Sequence, residues 1–333
     1  MAQHKQARRT GIKVSSALGF VVVLALVTGY FNRQYIWDQI TVSQYQPAKG
    51  AVELTTRAGV GEYGKFLYLA SRPVLESTQN FNSVCSRTEV ITSILGCYAD
   101  GRIYLYDVSD PQLDGVREVT ATHEMLHAAY VRLSSDEQSK LDDMLEAEYS
   151  KLKSDKGLQE KMAFYERTEP GQRDNELHSV IGTEVANISP ALEKYYDKYF
   201  DHRDYAVKLN AQYITVFKNI EFKADNLKKQ LDSISADVES KSKKYNIDVG
   251  VIDADIRSFN LRASSGDFSS QDQFNYERYL LVRRTNELGS DKIYINNQID
   301  LYNKLVLDYN ALATQSQKLY NSLDSTLAPA PSI

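Results

Sequence analysis

The sequence predicts an α+β domain followed by a long antiparallel α-helical coiled-coil hairpin, with a transmembrane helix ahead of both. Three observations carry that expectation. An uncharged run from Val14 to Phe31 follows a head with four basic residues and no acid. Short β-prone runs then alternate with helical periods up to about residue 203, and from there to about residue 328 apolar residues recur every seven positions. The 333 residues carry 39 Lys+Arg against 44 Asp+Glu, a formal charge of −5, so no broad basic field points to nucleic acid.

The head, residues 1–13, holds Lys5, Arg8, Arg9 and Lys13. Eighteen helical residues after it reach about 27 Å, enough for a hydrocarbon core of about 30 Å. Tyr30, Phe31, Tyr35 and Trp37 resemble an interfacial aromatic belt, and no A-x-A-like cleavage site follows. Residues 14–34 are therefore expected to form a single-pass cell-membrane anchor, with the N-terminus cytoplasmic and the rest extracytoplasmic. A cleaved secretory peptide is the rival. In an oxidising compartment Cys85 and Cys97 can close a disulfide; two buried thiols are the alternative.

Within residues 35–203 the elements follow in order. Residues 38–62 read as a tether and a short helix, broken by Pro47 and Gly50. KFLYLAS (65–71) reads as a strand, and SILGCY with RIYLYDV reads as a hairpin about the turn Ala99-Asp100-Gly101. The period then changes. Val119, Leu126, Ala129, Tyr130 and Leu133 predict a buried helix over about 116–133, started by Asp114 or Gly115. Helix continues to about Leu152, a polar loop runs through Glu169-Pro170-Gly171, and another helix begins near Arg173.

In the heptad segment Phe217, Ala224, Leu231, Val238 and Tyr245 form one row, with Ile220, Leu227 and Ile234 three positions on. Leu281, Leu288, Ile295, Tyr302 and Tyr309 form a second row, with Ile299, Val306 and Ala313 four positions on. RASSGDFSSQ (262–271) supplies the turn, which makes a hairpin over 204–328 and a tail over 329–333. Lys241, Thr285 and Lys292 interrupt the seams, which leaves room for a protein partner on the hairpin.

The sharpest chemical signal is His123-Glu124-Met125-Leu126-His127. Positions i and i+4 of a helix share one face, so both imidazoles can bind one metal while Glu124 stands beside them. Neutral imidazole suits Zn²⁺, with one further protein ligand and an open position for water. RDNELHSVIGTEV offers Glu176, His178 and Glu184 for that ligand. The pattern resembles zincin-type metallopeptidases of the gluzincin group, where a Glu on a later helix completes the HExxH site and Asn often precedes it, as Asn175 precedes Glu176. The sequence departs from those families in the long interval between His127 and Glu176, and in Val180, where an acid often stands.

The resemblance covers about residues 50–203. It implies a zincin-like fold with an edge strand beside the substrate cleft, Zn²⁺ on His123, His127 and Glu176, and hydrolysis of a protein or peptide through a zinc-bound water with Glu124 as general base. Glu184 or His178 could take the place of Glu176. A cell-envelope coiled-coil scaffold with an incidental HExxH helix is the competing function, and hydrolysis of a non-peptide envelope polymer is a third.

Overall fold

The computed structural model describes residues 23–24, 26–85 and 94–325. The chain forms two compact units, one reaching to Val216 and including the residues from Leu319, the other Phe217–Lys318. The described chain is 77% helical with one three-stranded sheet, which overturns the α+β class. No helix among the described residues is long and apolar enough to cross a membrane. Of the expected anchor, residues 14–22 and residue 25 lie outside the described residues.

The first unit opens with α1 (Arg33–Gln44), α2 (Ala51–Arg57) and α3 (Glu62–Ala70). α3 contains the run expected to be a strand. Gly64, Leu67, Tyr68 and Ser71 all sit at helical spacing and are all buried, so this face closes on the core. A short apolar run has no intrinsic period to separate helix from strand, and here its neighbours decide. α1 also replaces part of the expected tether. Asp38 on it is buried and takes a two-pronged ion pair from Arg132, both contacts at 2.9 Å.

β1 (Val74–Glu76), α4 (Thr78–Val84), β2 (Gly96–Ala99) and β3 (Arg102–Tyr106) follow, and β1 and α4 lack any counterpart in the sequence expectation. The hairpin β2–β3 is as expected, with Asp100 and Gly101 both at positive φ in its two-residue turn. β1 pairs in parallel with the other side of β3, so the order is β1-β3-β2 and β2 is an edge strand. Ile103 and Leu105 point into the core. Cys85, after α4, is joined to Cys97 of β2 by a disulfide.

α5 (Val116–Tyr130) and α6 (Ser135–Lys151) come next; Ser134 and Glu137 close a reciprocal cap at the start of α6. α7 (Lys156–Thr168) occupies residues expected to be loop. Asp155 caps it, and Leu158 and Met162 bury one face at i, i+4 spacing. α8 (Arg173–Glu184) and α9 (Pro190–Tyr196) complete the core. α8 is enclosed on all sides, with every residue from Glu176 to Thr183 buried. Leu177, Val180 and Ile181 join Ala121, Met125 and Leu126 of α5 in one cluster.

α8 ends at defined polar contacts. At its C-terminal end the buried Arg203 donates to the carbonyls of Val185 at 2.8 Å and Ala186 at 3.1 Å, and is held by Glu193 at 2.8 Å. The guanidinium thus satisfies carbonyls that have no helical partner and meets the negative end of the helix dipole.

The second unit consists of most of α10 (Arg203–Ser265) and α11 (Gln271–Leu323), two antiparallel helices. Cross-helix pairs join Asp255 to Arg284 at 2.6 Å, and Asp237 to the Tyr294 hydroxyl at 2.9 Å. The expected rows of α10 are the covered ones, as are Leu281, Leu288, Ile295 and Tyr302 of α11. The second row of α11 differs. Val306 is half-buried as expected, but Ile299 and Ala313 are exposed, and Arg284, Asp291, Gln298, Leu305 and Leu312, three positions after the first row, face inward. Tyr309 is exposed as well.

Candidate metal centre

α5 crosses α8 where both are buried, and that crossing assembles the site. His123 and His127 lie one turn apart on α5, with ring centroids 4.7 Å apart and nearly perpendicular planes. Glu176, in the first turn of α8, faces both. Its Oε2 is 3.5 Å from His123 Nε2, and its Oε1 is 3.3 Å from His127 Nε2. One ligand atom from each residue lies within 4.8 Å of the other two.

His127 is oriented by Asn175, whose Oδ1 is 2.9 Å from Nδ1. The Asn175 amide in turn donates to Gln172 Oε1 at 3.2 Å, which makes its oxygen the atom facing the ring. Nδ1 is therefore the donor toward Asn175, and Nε2 faces Glu176. A contact of 3.3 Å between Nε2 and a carboxylate oxygen is closed by a proton or by a cation between them. The two separations from Glu176 match those of tetrahedral Zn²⁺, whose ligands about 2.0–2.2 Å from the metal stand roughly 3.3–3.6 Å apart. The donor set, two imidazoles and a carboxylate, is one that zinc accepts.

Glu124 lies on α5 between the two histidines and is buried, with Oε2 lacking any hydrogen-bond partner. Burial pushes its carboxyl up to about 8; His123 opposes the shift, and Glu176 and Glu169 add to it. Edge strand β2 runs directly over it. A Cβ at Gly96 would come within 2.7 Å of Glu124 Oε1 and 2.6 Å of Thr120 Cγ2, so only glycine lets the strand approach this closely.

A further carboxylate, absent from the sequence expectation, reaches the centre. Glu169, just after α7, makes a hydrogen bond with Glu176 and lies in the field of both histidines. Burial and the Glu176 charge push its carboxyl up. Glu176 itself is held below the usual carboxylate range: burial pushes it up, but the two histidines and the Glu169 hydrogen bond outweigh that. Tyr165, one turn earlier, places a buried hydroxyl among the same acids, and burial followed by the Glu176 charge drives it well up. Neither residue has a spacing signal in the sequence, because they stand seven and eleven positions before Glu176 with a reverse turn between.

The alternative third ligands lie elsewhere. Glu184 takes an ion pair from Lys161 at 2.6 Å. His178 is fully buried among tyrosines, stacked on Tyr196 at 5.4 Å and edge-on to Tyr195 at 5.5 Å. Burial drives its imidazole down to about 3, and the two site histidines act in the same direction.

No protein-family model matches the chain, and no match was found among curated proteins or among solved structures.

Proposed function

We propose that the protein is a zinc-dependent metallopeptidase. The observation that carries this reading is the convergence of His123, His127 and Glu176 beside a buried, unpartnered Glu124 beneath an edge strand. Zn²⁺ on the three ligands would supply the Lewis acidity that activates water and polarises the scissile carbonyl. Glu124 accepts a proton from the attacking water and delivers it to the leaving amine nitrogen. Asn175 holds His127 in the tautomer that leaves Nε2 free to coordinate.

A peptide is favoured over another polymer by β2. Among the described residues no strand pairs with its outer side, and Gly96 brings it against Glu124. An extended peptide can add to such an edge through main-chain hydrogen bonds, which sets its carbonyl beside the catalytic acid. The Cys85–Cys97 disulfide supports an extracytoplasmic location, since such bonds persist in oxidising compartments.

The purified protein should contain about one Zn²⁺ per chain by elemental analysis and cleave unstructured peptides. Glu124→Gln keeps the shape of the side chain but cannot accept a proton, so zinc should remain while hydrolysis falls by about 10²–10⁴-fold. His127→Ala should lose both. Full hydrolysis by Glu124→Gln would refute the mechanism.

A further inference from the structure

β2 is four residues long and, among the described residues, pairs only with β3. Its two faces meet different parts of the fold. Gly96, opposite Leu105 of β3, faces α5, where Thr120 and Glu124 lie. Side chains alternate along a strand, so Cys97, opposite Tyr104, points to the other face of the sheet. α4 covers that face: its Phe81 is fully buried and packs on Tyr106 of β3, with ring centroids 5.9 Å apart.

The disulfide joins α4 to β2. Cys85 ends α4, where its N–H donates to Phe81 O at 2.8 Å, and it is bonded to Cys97 within the strand. α4 is fixed at a second point: Ser325 Oγ donates to Asn82 Oδ1 at 3.0 Å, and the Asn82 amide returns a hydrogen bond to the Ser325 carbonyl. β2 is therefore held between α5 on one face and an anchored helix on the other. The covalent link lies one residue from Gly96, whose approach to Glu124 is close enough to exclude a side chain.

We infer that the Cys85–Cys97 bond is a redox-dependent clamp on the substrate-binding edge: closed, it holds β2 against Glu124 so that an extended peptide can add to the strand; open, it frees the strand while the metal centre stays intact. The inference rests on the metallopeptidase reading and adds to it how the site is regulated. The clamp closes by exchange with a donor disulfide: the two cysteine thiols are oxidised to one bond, and the donor is reduced to two thiols. All three zinc ligands stand on α5 and α8, so metal binding does not depend on it. A chain in a reducing compartment thus holds zinc but binds peptides weakly until it is oxidised.

The bland role of a disulfide is to stabilise the fold as a whole. Substrate length separates the two roles, because an octapeptide can pair along β2 and a blocked dipeptide is too short to do so. Oxidised wild-type protein is compared with Cys85→Ser/Cys97→Ser and with wild-type protein reduced by a phosphine, chosen because thiols themselves bind zinc. With the bond open, KM for the octapeptide should rise about 10–10²-fold, the effect of losing about two main-chain hydrogen bonds. Its kcat, kcat/KM for the dipeptide and the zinc content should stay unchanged. Reoxidation of the reduced protein by a donor disulfide should restore KM. Amide hydrogen exchange at Gly96–Ala99 should quicken on opening while α5 and α8 keep their protection.

An unchanged KM with the bond open, or unchanged exchange in β2, overturns the inference. An equal loss on both substrates, or loss of zinc, also overturns it and makes the disulfide a support of the whole unit. Oxidised, zinc-loaded wild-type protein that cleaves neither substrate removes the peptidase reading and the substrate role of the clamp with it, whereas cleavage of both with no dependence on the bond removes the clamp alone.

Discussion

The helices α5 and α8 differ from α10 and α11 in how many sides are covered. α8 has eight consecutive buried residues, among them the polar Ser179 and Thr183. Of the residues of the hairpin unit, only Ile220, Ile252, Phe259, Ile295 and Leu305 are buried, and charged side chains such as Arg284 and Asp255 sit between the helices. A helix enclosed all round cannot shift without disturbing several neighbours, so it can hold a carboxylate against two imidazoles. A two-helix seam touches one partner along one stripe. It tolerates polar interruptions because their heads stay near water, and its stability is spread over many small contributions.

The contrast is broken most directly at Leu126, which is fully enclosed and faces α8 where Gly182 allows close approach; a Cβ at Gly182 would lie 2.4 Å from Leu126 Cδ1. Leu126→Ala should destabilise the first unit by about 2–5 kcal/mol in urea unfolding. A loss below 1 kcal/mol would mean that the α5–α8 contact is far looser than described.

Asn175→Ala leaves the packing almost unchanged and leaves His127 Nδ1 only its longer contact with Ser179 Oγ at 3.3 Å. Zinc affinity should fall by about 10–100-fold in a competition titration with a chelator. Unchanged affinity would show that enclosure alone orients the histidine.

In the hairpin, Ile295→Ala should cost about 1–2 kcal/mol, less than a fully enclosed aliphatic, because its surroundings are open on one side. A cost matching that of Leu126→Ala in the same unfolding assay would erase the distinction between the two regions. The smallest effect is expected at Arg284 and Asp255, whose side chains are 35% and 46% exposed. A double-mutant cycle should return about 0.2–1 kcal/mol. A coupling of several kcal/mol would make this pair a specific lock in the seam.

The two regions also differ in how readily they are read from residues alone. The first rows of the hairpin follow from apolar residues at seven-residue spacing, since each helix answers to one neighbour. The second row of α11 does not. Only Val306 of it is covered; Ile299 and Ala313 fit an apolar repeat on paper yet are exposed, while Arg284 and Asp291 face the partner because the helices meet chiefly along the row three positions on.

In the first unit Leu158 and Met162 carried a legible i, i+4 signal for α7, masked by the polar residues around them. β1 is three residues long and exists only because β3 offers it an edge.

By itself the sequence determined what depends on local spacing: the two imidazoles of His123 and His127 on one face with Glu124 between them, the hairpin turn at Asp100-Gly101, and the heptad rows of α10. A helical period or a two-residue turn follows from backbone geometry within a few residues. Tertiary structure alone decided that residues 62–70 are helix, that Glu176 and not Glu184 or His178 faces the imidazoles, and that Gly96 lies over Glu124. Each of these depends on which surfaces pack together across tens of residues. Burial then selects among local conformations of similar energy, and the short-range pattern carries no record of that choice.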